Sequence, residues 1–160
     1  MIKLVRIDER LIHGQVALGW TSDVAANTIF IANDEAQKDK VKAMALNLAK
    51  PAGVKLYIRG VNQESGEIIK KFAKAEKAQV LVLVRTVADA LKLTKYSGGV
   101  IKNINVGGLR FEEGNKKLNN FISVSEQDIK DINELQKMGV SLDFRMLPRD
   151  KKLTWEELNK

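Results

Sequence analysis

The feature that most constrains the fold of this chain is the segment Val80–Val84, which reads VLVLV and is apolar at every position. A strand with one face in water alternates polar and apolar residues, so an unbroken apolar run predicts a strand that is covered on both faces. Such strands are typical of parallel sheets, because the helices that connect parallel strands pack on the sheet. The segment therefore favours an α/β fold.

The rest of the chain repeats this arrangement, with short apolar or β-branched runs separated by amphipathic stretches. The predicted strands are 2–7, 28–32, 55–58, 80–84, 101–106, 121–124 and 140–145. A helix is predicted to begin near Gly14, and further helices are predicted at 34–50, 66–77, 87–96 and 154–158. Another is predicted from the start at 125–128 to Met138. Because strands alternate with helices, the sequence predicts one α/β domain over residues 1–160 with a single open, mainly parallel sheet.

Capping residues mark several of the predicted helix ends. Asp34 and Thr86 are the predicted N-caps of their helices, and Ser125 begins a segment that resembles a capping box. Gly139 is the predicted left-handed residue that ends the helix following Ser125. These signals place the helix boundaries independently of the apolar pattern.

Composition narrows the class of protein. The chain has no cysteine and one histidine, which excludes a disulfide framework and argues against a dedicated zinc site. Its net charge of +7 favours an acidic partner, such as nucleic acid, anionic lipid, a phosphate group or an acidic protein, although its lysines also fit solvated helix faces. The sequence shows no signal peptide and no apolar run long enough to span a membrane, so the expected location is the cytoplasm.

The single histidine, His13, lies in the segment 6–16, which reads RIDERLIHGQV. The segment follows the first predicted strand and leads into the helix near Gly14. In open parallel sheets, ligands bind beyond the carboxyl ends of the strands. This position predicts a functional site, although a single histidine near a helix start also fits a capping or packing role, with its charged neighbours as surface ion pairs.

In this setting His13 has the properties of a nucleophile. A neutral imidazole carries a free ring nitrogen at physiological pH. The positive end of the helix, together with Arg6 and Arg10, disfavours the imidazolium form by like charge. Asp8 can accept a hydrogen bond from one ring nitrogen and leave the other free to attack.

The same segment offers groups that bind an oxyanion. Gly14 lets the backbone approach a ligand closely, and the N–H groups of Gly14, Gln15 and Val16 are expected at the open N-terminus of the helix. Arg10 can add a bidentate contact. These groups suit phosphoryl transfer, in which catalysis consists mostly of positioning and of charge neutralisation.

Other chemistries have less support in the sequence. It contains no Walker-type loop and no G-x-S-x-G elbow, and the glycine pairs 98–99 and 107–108 are expected to form turns. A basic nucleic-acid-binding α/β module is the main alternative, because of the positive charge, but no basic stripe is interleaved with aromatic residues. A small hydrolase with His13 as general base is the third interpretation, without an evident partner nucleophile.

The segment 6–16 closely resembles the N-terminal signature of the IIB components of the bacterial sugar phosphotransferase system, in the mannose/fructose/sorbose family. Later segments are similar to this family as well: Asn33-Asp34, Arg85-Thr86 and the glycine loop at 103–108. The resemblance extends over the whole chain. It implies a single IIB domain and an open, mainly parallel sheet with helices on both faces.

The resemblance also implies the activity of a phosphocarrier. The IIA carrier would phosphorylate His13 on Nδ1, and the phosphoryl group would pass to a sugar held by the membrane components IIC and IID, at the inner face of the membrane. Asp8 and Arg10 match the phosphorylation loop. Arg6 and the residues Gly14, Gln15 and Val16 are the candidate phosphate-binding groups. The family uses no metal or nucleotide cofactor in this component, no nucleic acid is expected among its partners, and the sugar and the oligomeric state stay open.

Overall fold

The computed structural model describes residues 1–160, which form eight strands and seven helices. In chain order these are β1 (Ile2–Asp8), α1 (Gly14–Asp23), β2 (Thr28–Ala32), α2 (Asp34–Lys38), α3 (Lys40–Ala49), β3 (Lys55–Arg59), α4 (Gln63–Lys74), β4 (Val80–Val84), α5 (Val87–Tyr96), β5 (Asn103–Gly108), β6 (Lys116–Lys117), β7 (Ser123–Val124), α6 (Glu126–Lys137), β8 (Ser141–Phe144) and α7 (Trp155–Leu158). No helix combines the length and the apolar character that crossing a bilayer requires.

Six strands form one open sheet in the order β3-β2-β4-β1-β5-β8, and every pairing within it is parallel. The apolar strand β4 lies inside the sheet, and each of its residues is at most 2% exposed. The prediction of a strand covered on both faces is therefore confirmed. The predicted strand at 121–124 forms outside this sheet, as β7 in a short antiparallel pair with β6.

Helices cover both faces of the sheet, as expected. The side chains of α4, α5, α6 and α7 pack with Val80, Val82 and Val84 in one apolar cluster. Those of α1, α2 and α3 pack with Leu81 and Leu83 in a second cluster. Successive residues of a strand point to opposite faces, so the alternate residues of β4 supply the two clusters.

The predicted helix at 34–50 is wrong as a single element, because Asp39 interrupts it. Asp39 has an extended backbone, and its side chain accepts hydrogen bonds from the N–H groups of Val41 and Lys42 at the start of α3. The N-cap of α2 is Asn33 and not the predicted Asp34. The Asp34 carboxylate instead accepts a 2.8 Å hydrogen bond from the N–H of Val61.

The helix predicted at 66–77 begins earlier, at Gln63, because Asn62 caps it through the N–H of Ser65. Gly66 lies within α4, where a Cβ atom would overlap the backbone of Tyr96 in α5. The other capping predictions are confirmed. Thr86 caps α5, Ser125 forms a capping box at α6, and Gly139 has a φ of 85° after that helix.

Candidate functional site

The loop 9–13 connects the end of β1 to α1 at the carboxyl edge of the sheet. The N–H of Glu9 donates to the Gly108 carbonyl at 3.0 Å, and the N–H of Leu11 donates to the Asp8 carbonyl at 2.9 Å. Leu11 has a φ of 58°, a conformation that is costly for a residue with a Cβ atom. Leu11 and Ile12 are buried in the second apolar cluster, between the sheet and helices α1, α2 and α3, and this burial anchors the loop.

The loop presents His13 with one ring nitrogen paired and the other open. His13 Nε2 lies 2.9 Å from Asp8 Oδ2, and the histidine side chain is 19% exposed. A carboxylate only accepts hydrogen bonds, so of the two neutral tautomers this contact selects the one with its proton on Nε2. The lone pair of Nδ1 is then available, and Nδ1 has no hydrogen-bond partner in the protein.

His13 occupies the N-cap position of α1, but its side chain caps no backbone N–H. The first turn contains no acidic residue, and the first backbone bond at this end runs from the Ala17 N–H to the His13 carbonyl at 3.3 Å. The N–H groups of Gly14, Gln15 and Val16 therefore remain without a protein partner. Unpaired N–H groups and the helix dipole together favour an anion at this terminus.

Arg10 lies on the loop between Asp8 and His13. Its backbone N–H donates to Asp8 Oδ1 at 3.0 Å. Its side chain is exposed and makes no ion pair or hydrogen bond with the protein. The guanidinium is therefore free to bind an anion at the surface of the loop.

Arg6 lies beneath the loop, and the structure departs here from the expectation of a direct phosphate contact. The residue is 2% exposed, and its Nη2 donates to Asp8 Oδ2 at 3.0 Å. Burial lowers the pKa of the Arg6 guanidinium, while the Asp8 carboxylate opposes that shift. An arginine stays protonated in proteins even so, and Arg6 therefore supplies a fixed positive charge behind Asp8.

The pair Gly107-Gly108 lies in β5, so the predicted turn at this pair is wrong. A Cβ atom on Gly107 would overlap the Arg6 guanidinium, and one on Gly108 would lie 3.2 Å from Asp8 Oδ1. The glycines make room for the buried ion pair. The other pair, Gly98-Gly99, has positive φ values of 68° and 81° after α5, as expected of a turn.

Four further residues of the site were not identified from the sequence. They are Trp20, Asn105, Asp143 and Arg145. The Trp20 ring lies 5.2 Å from Arg6 Cζ and 5.1 Å from Arg145 Cζ. The only sequence signal for Asn105 and Asp143 is that each is a polar residue alternating with apolar ones along a strand. A solvent-facing position gives the same pattern.

The segments Asn33-Asp34 and Arg85-Thr86 border a separate cleft of about 540 Å³ at the same edge of the sheet. Arg85 and Arg110 line this cleft against six acidic residues: Glu9, Asp34, Glu35, Asp89, Glu112 and Asp128. Both arginines are paired, Arg85 with Glu35 at 2.6 Å and Arg110 with Glu9 at 3.2 Å. The excess of carboxylates disfavours an anion here, and the start of α1 is the better anion site. No cluster of three or more residues is arranged to hold a metal ion.

A comparison with known families agrees with this geometry. The family model described as "PTS system sorbose subfamily IIB component" matches residues 2–160. The chain belongs to this family. The resemblance found in the segment 6–16 is thereby confirmed, and the IIB chain has the expected α/β fold.

The similarity to individual IIB proteins extends over most of the chain. The IIB chain is 35% identical over 149 residues to the sorbose-specific EIIB component from Klebsiella pneumoniae, covering 93% of this chain and 89% of that protein. It is 35% identical over 161 residues to the mannose-specific EIIAB component of Escherichia coli K12, covering 99% of this chain and 48% of that protein. The chain thus spans about half the length of this curated relative.

A solved structure shows the same architecture. The crystal structure of the IIBSor domain of the sorbose permease from Klebsiella pneumoniae superposes with a TM-score of 0.87 at 32% sequence identity. The match covers 99% of the IIB chain and 96% of that domain.

Proposed function

We propose that this IIB chain accepts a phosphoryl group on Nδ1 of His13 from a IIA carrier and passes it to a sugar. The sugar is imported through the membrane components IIC and IID, and the chain acts from the cytoplasmic side. The observation that carries the proposal is the open Nδ1 of the single histidine, placed at an uncapped helix N-terminus. The name of the E. coli relative, which joins A and B components, supports a IIA carrier as donor.

The first step forms one bond and breaks one. The Nδ1 lone pair attacks phosphorus, and the bond between phosphorus and its atom on the IIA carrier breaks, with the electron pair remaining on that carrier. The proton stays on Nε2, so the ring gains positive charge as the N–P bond forms. Asp8, 2.9 Å from Nε2, offsets this charge and holds the ring in position.

The transferred oxygens carry negative charge, which the start of α1 neutralises. The unpaired N–H groups of Gly14, Gln15 and Val16 are available as hydrogen-bond donors, and the Arg10 guanidinium supplies a full positive charge. Arg6 contributes indirectly, by fixing Asp8 from below. No metal ion or nucleotide enters this mechanism.

The second step reverses the roles of the ring and the acceptor. A hydroxyl oxygen of the sugar attacks phosphorus, and the N–P electron pair returns to Nδ1. The hydroxyl proton passes to a base at the sugar site. Because His13 ends as it began, the IIB chain is a carrier that turns over, and residues 1–160 form the single domain that performs both steps.

Intact-mass measurement after incubation with the upstream phosphoryl donors tests the proposal. The wild-type protein is expected to gain the mass of one acid-labile phosphoryl group, and His13→Ala is expected to gain none. Thr86→Ala, which alters the N-cap of a different helix, is the matched control and should be phosphorylated like the wild type. Phosphorylation of His13→Ala at the wild-type level would refute the assignment of His13.

A further inference from the structure

A row of polar side chains crosses three neighbouring strands beneath the phosphorylation loop. Arg6 on β1 pairs in register with Asn105 on β5, and Asn105 pairs with Asp143 on β8. In the same strands, Val5 and Ile104 face the opposite side and join its apolar cluster. Asn105 is completely buried, so each of its polar atoms needs a partner inside the protein.

The orientation of the Asn105 amide follows from its neighbours. The Nδ2 group donates to Asp143 Oδ1 at 2.9 Å and to the Arg145 carbonyl at 3.3 Å, and both of these oxygens can only accept. The Oδ1 atom must therefore face Arg6, whose Nη1 donates to it. Arg145 supports this arrangement, because its Nε donates to the same Asp143 oxygen at 2.9 Å.

Asn105 consequently fixes the plane of the Arg6 guanidinium. Nη1 also donates to the Arg145 carbonyl at 3.1 Å, which leaves Nη2 directed at Asp8 Oδ2. The Trp20 ring and the backbone of Gly107 lie close to the guanidinium and restrict its movement. The same Asp8 oxygen receives His13 Nε2, so the position of the imidazole depends on a chain of contacts that starts at Asn105.

The geometry points to Asn105 as a positioning residue for phosphoryl transfer at His13, acting through Arg6 and Asp8. This inference rests on the function proposed for His13. Asn105 orients Arg6, Arg6 holds the Asp8 carboxylate, and Asp8 keeps the proton on Nε2 so that Nδ1 faces the incoming phosphoryl group. Asp143 and Arg145 secure the amide from the other side.

The test compares Asn105→Leu, which keeps the approximate shape and removes both hydrogen-bonding ends, with Thr94→Val. Thr94 is also completely buried, and its hydroxyl donates to the Ala90 carbonyl within α5, on the opposite face of the sheet. Asn105→Leu is expected to slow phosphoryl acceptance between about tenfold and a hundredfold, because a small displacement of the nucleophile is costly. Thr94→Val should accept phosphate at close to the wild-type rate.

Ring ¹⁵N NMR separates positioning from a general loss of stability, since His13 is the single histidine and its ring signals are unambiguous. The wild type and Thr94→Val are expected to show the tautomer protonated on Nε2, and Asn105→Leu a mixture of tautomers. If Asn105→Leu does not fold, Asn105→Asp decides, because its carboxylate keeps the shape and competes with Asp8 for Arg6. A wild-type tautomer and rate in the folded variant would overturn the role of Asn105.

The two hypotheses fail in different ways. If the wild-type protein takes no phosphoryl group, or His13→Ala takes one, the proposed function fails. If the wild type is phosphorylated on His13 and the folded Asn105 variant matches Thr94→Val in rate and tautomer, only the positioning inference fails.

Discussion

The N-terminus of α1, where the proposed site lies, differs from the N-termini of all the other helices in this protein. A side chain caps the N-terminus of each helix from α2 to α7; the capping residues are Asn33, Asp39, Asn62, Thr86, Ser125 and Thr154. At α1 the corresponding residue is His13, which caps nothing and binds Asp8 instead. α1 is therefore the one helix of this protein in which no side chain pairs an N–H group of the first turn.

The comparison shows how the protein keeps an anion site open. A capping side chain stabilises a helix by about 1 kcal/mol, because it pairs N–H groups that otherwise have no partner. α1 lacks that contribution, and its start is held from below by Arg6 and Asp8 and by the buried residues Leu11 and Ile12. Positional order at this terminus thus comes from the buried ion pair and from the packing of the loop into the core, which leaves the N–H groups of the first turn for a ligand.

The largest expected effect comes from removing the charge beneath α1. Arg6→Met leaves the Asp8 carboxylate buried without its ion-pair partner, and we expect the free energy of unfolding to fall by about 3–5 kcal/mol. Urea denaturation measures this change. Arg110→Met is the control, because the Arg110 side chain is 68% exposed and its pair with Glu9 should contribute about 0.5 kcal/mol. If the free energy of unfolding fell equally in the two variants, the buried pair of Arg6 and Asp8 would not be what supports α1.

A second variant displaces Arg6 without removing it. Gly107→Ala places a methyl group where the Arg6 guanidinium lies, and overpacking of this kind typically costs about 1–3 kcal/mol. We also expect slower phosphoryl acceptance, because Arg6 can no longer hold Asp8 in place. Thermal unfolding and the mass assay measure the two effects. Gly108→Ala is the milder control, since its Cβ atom would meet Asp8 Oδ1 at 3.2 Å, and a larger effect there would argue against this role of Gly107.

The sequence predicts the side-chain caps of the helices better than it predicts the residues that support the N-terminus of α1. The caps at Thr86 and Ser125 act on N–H groups of the next turn, so a local pattern is sufficient to find them. His13 and Asp8 likewise belong to one short segment. Asn105 and Asp143 were missed because their roles depend on the strand order β1-β5-β8, which no local pattern specifies. The break at Asp39 was missed because residues 34–50 contain no proline or glycine to mark it.

Restoring an ordinary cap at α1 should separate stability from function. His13→Ser and His13→Ala both lose the contact with Asp8, but serine can accept a hydrogen bond from a backbone N–H of the first turn, so His13→Ser is expected to have a free energy of unfolding about 1 kcal/mol above that of His13→Ala. The same variant should accept no phosphoryl group. Chemical denaturation and intact mass give the two results. Thr86→Ala makes the opposite change at α5 and should lose about 1 kcal/mol while retaining phosphorylation. If His13→Ser were no more stable than His13→Ala, α1 would not benefit from a cap.

The smallest expected effect concerns Asp89, a carboxylate in the first turn of α5. The first turn of α1 has no acidic residue. Burial raises the pKa of Asp89 above its ordinary value of 3.8, so folding favours the protonated form. The stability of the wild type therefore falls as the pH rises between the unfolded and folded pKa values, and the full cost is present above the folded pKa. Since Asp89 is partly exposed, we expect Asp89→Asn to be more stable at neutral pH by about 0.5 kcal/mol and to show no advantage at pH values below this range.

The pH dependence should have the opposite sign at an exposed helix position, which makes Glu67 the control. Hydrogen bonds from Lys70 and Gln63 lower the pKa of Glu67, so its contribution to stability is present at neutral pH and is lost on acidification. Glu67→Gln should therefore be less stable than the wild type at neutral pH and approach it in acid. Denaturation of both variants across the acidic range measures the two trends. If the two variants showed parallel trends, burial at the start of α5 would not determine the titration of Asp89. The absence of a carboxylate from the first turn of α1 would then give that helix no advantage in stability.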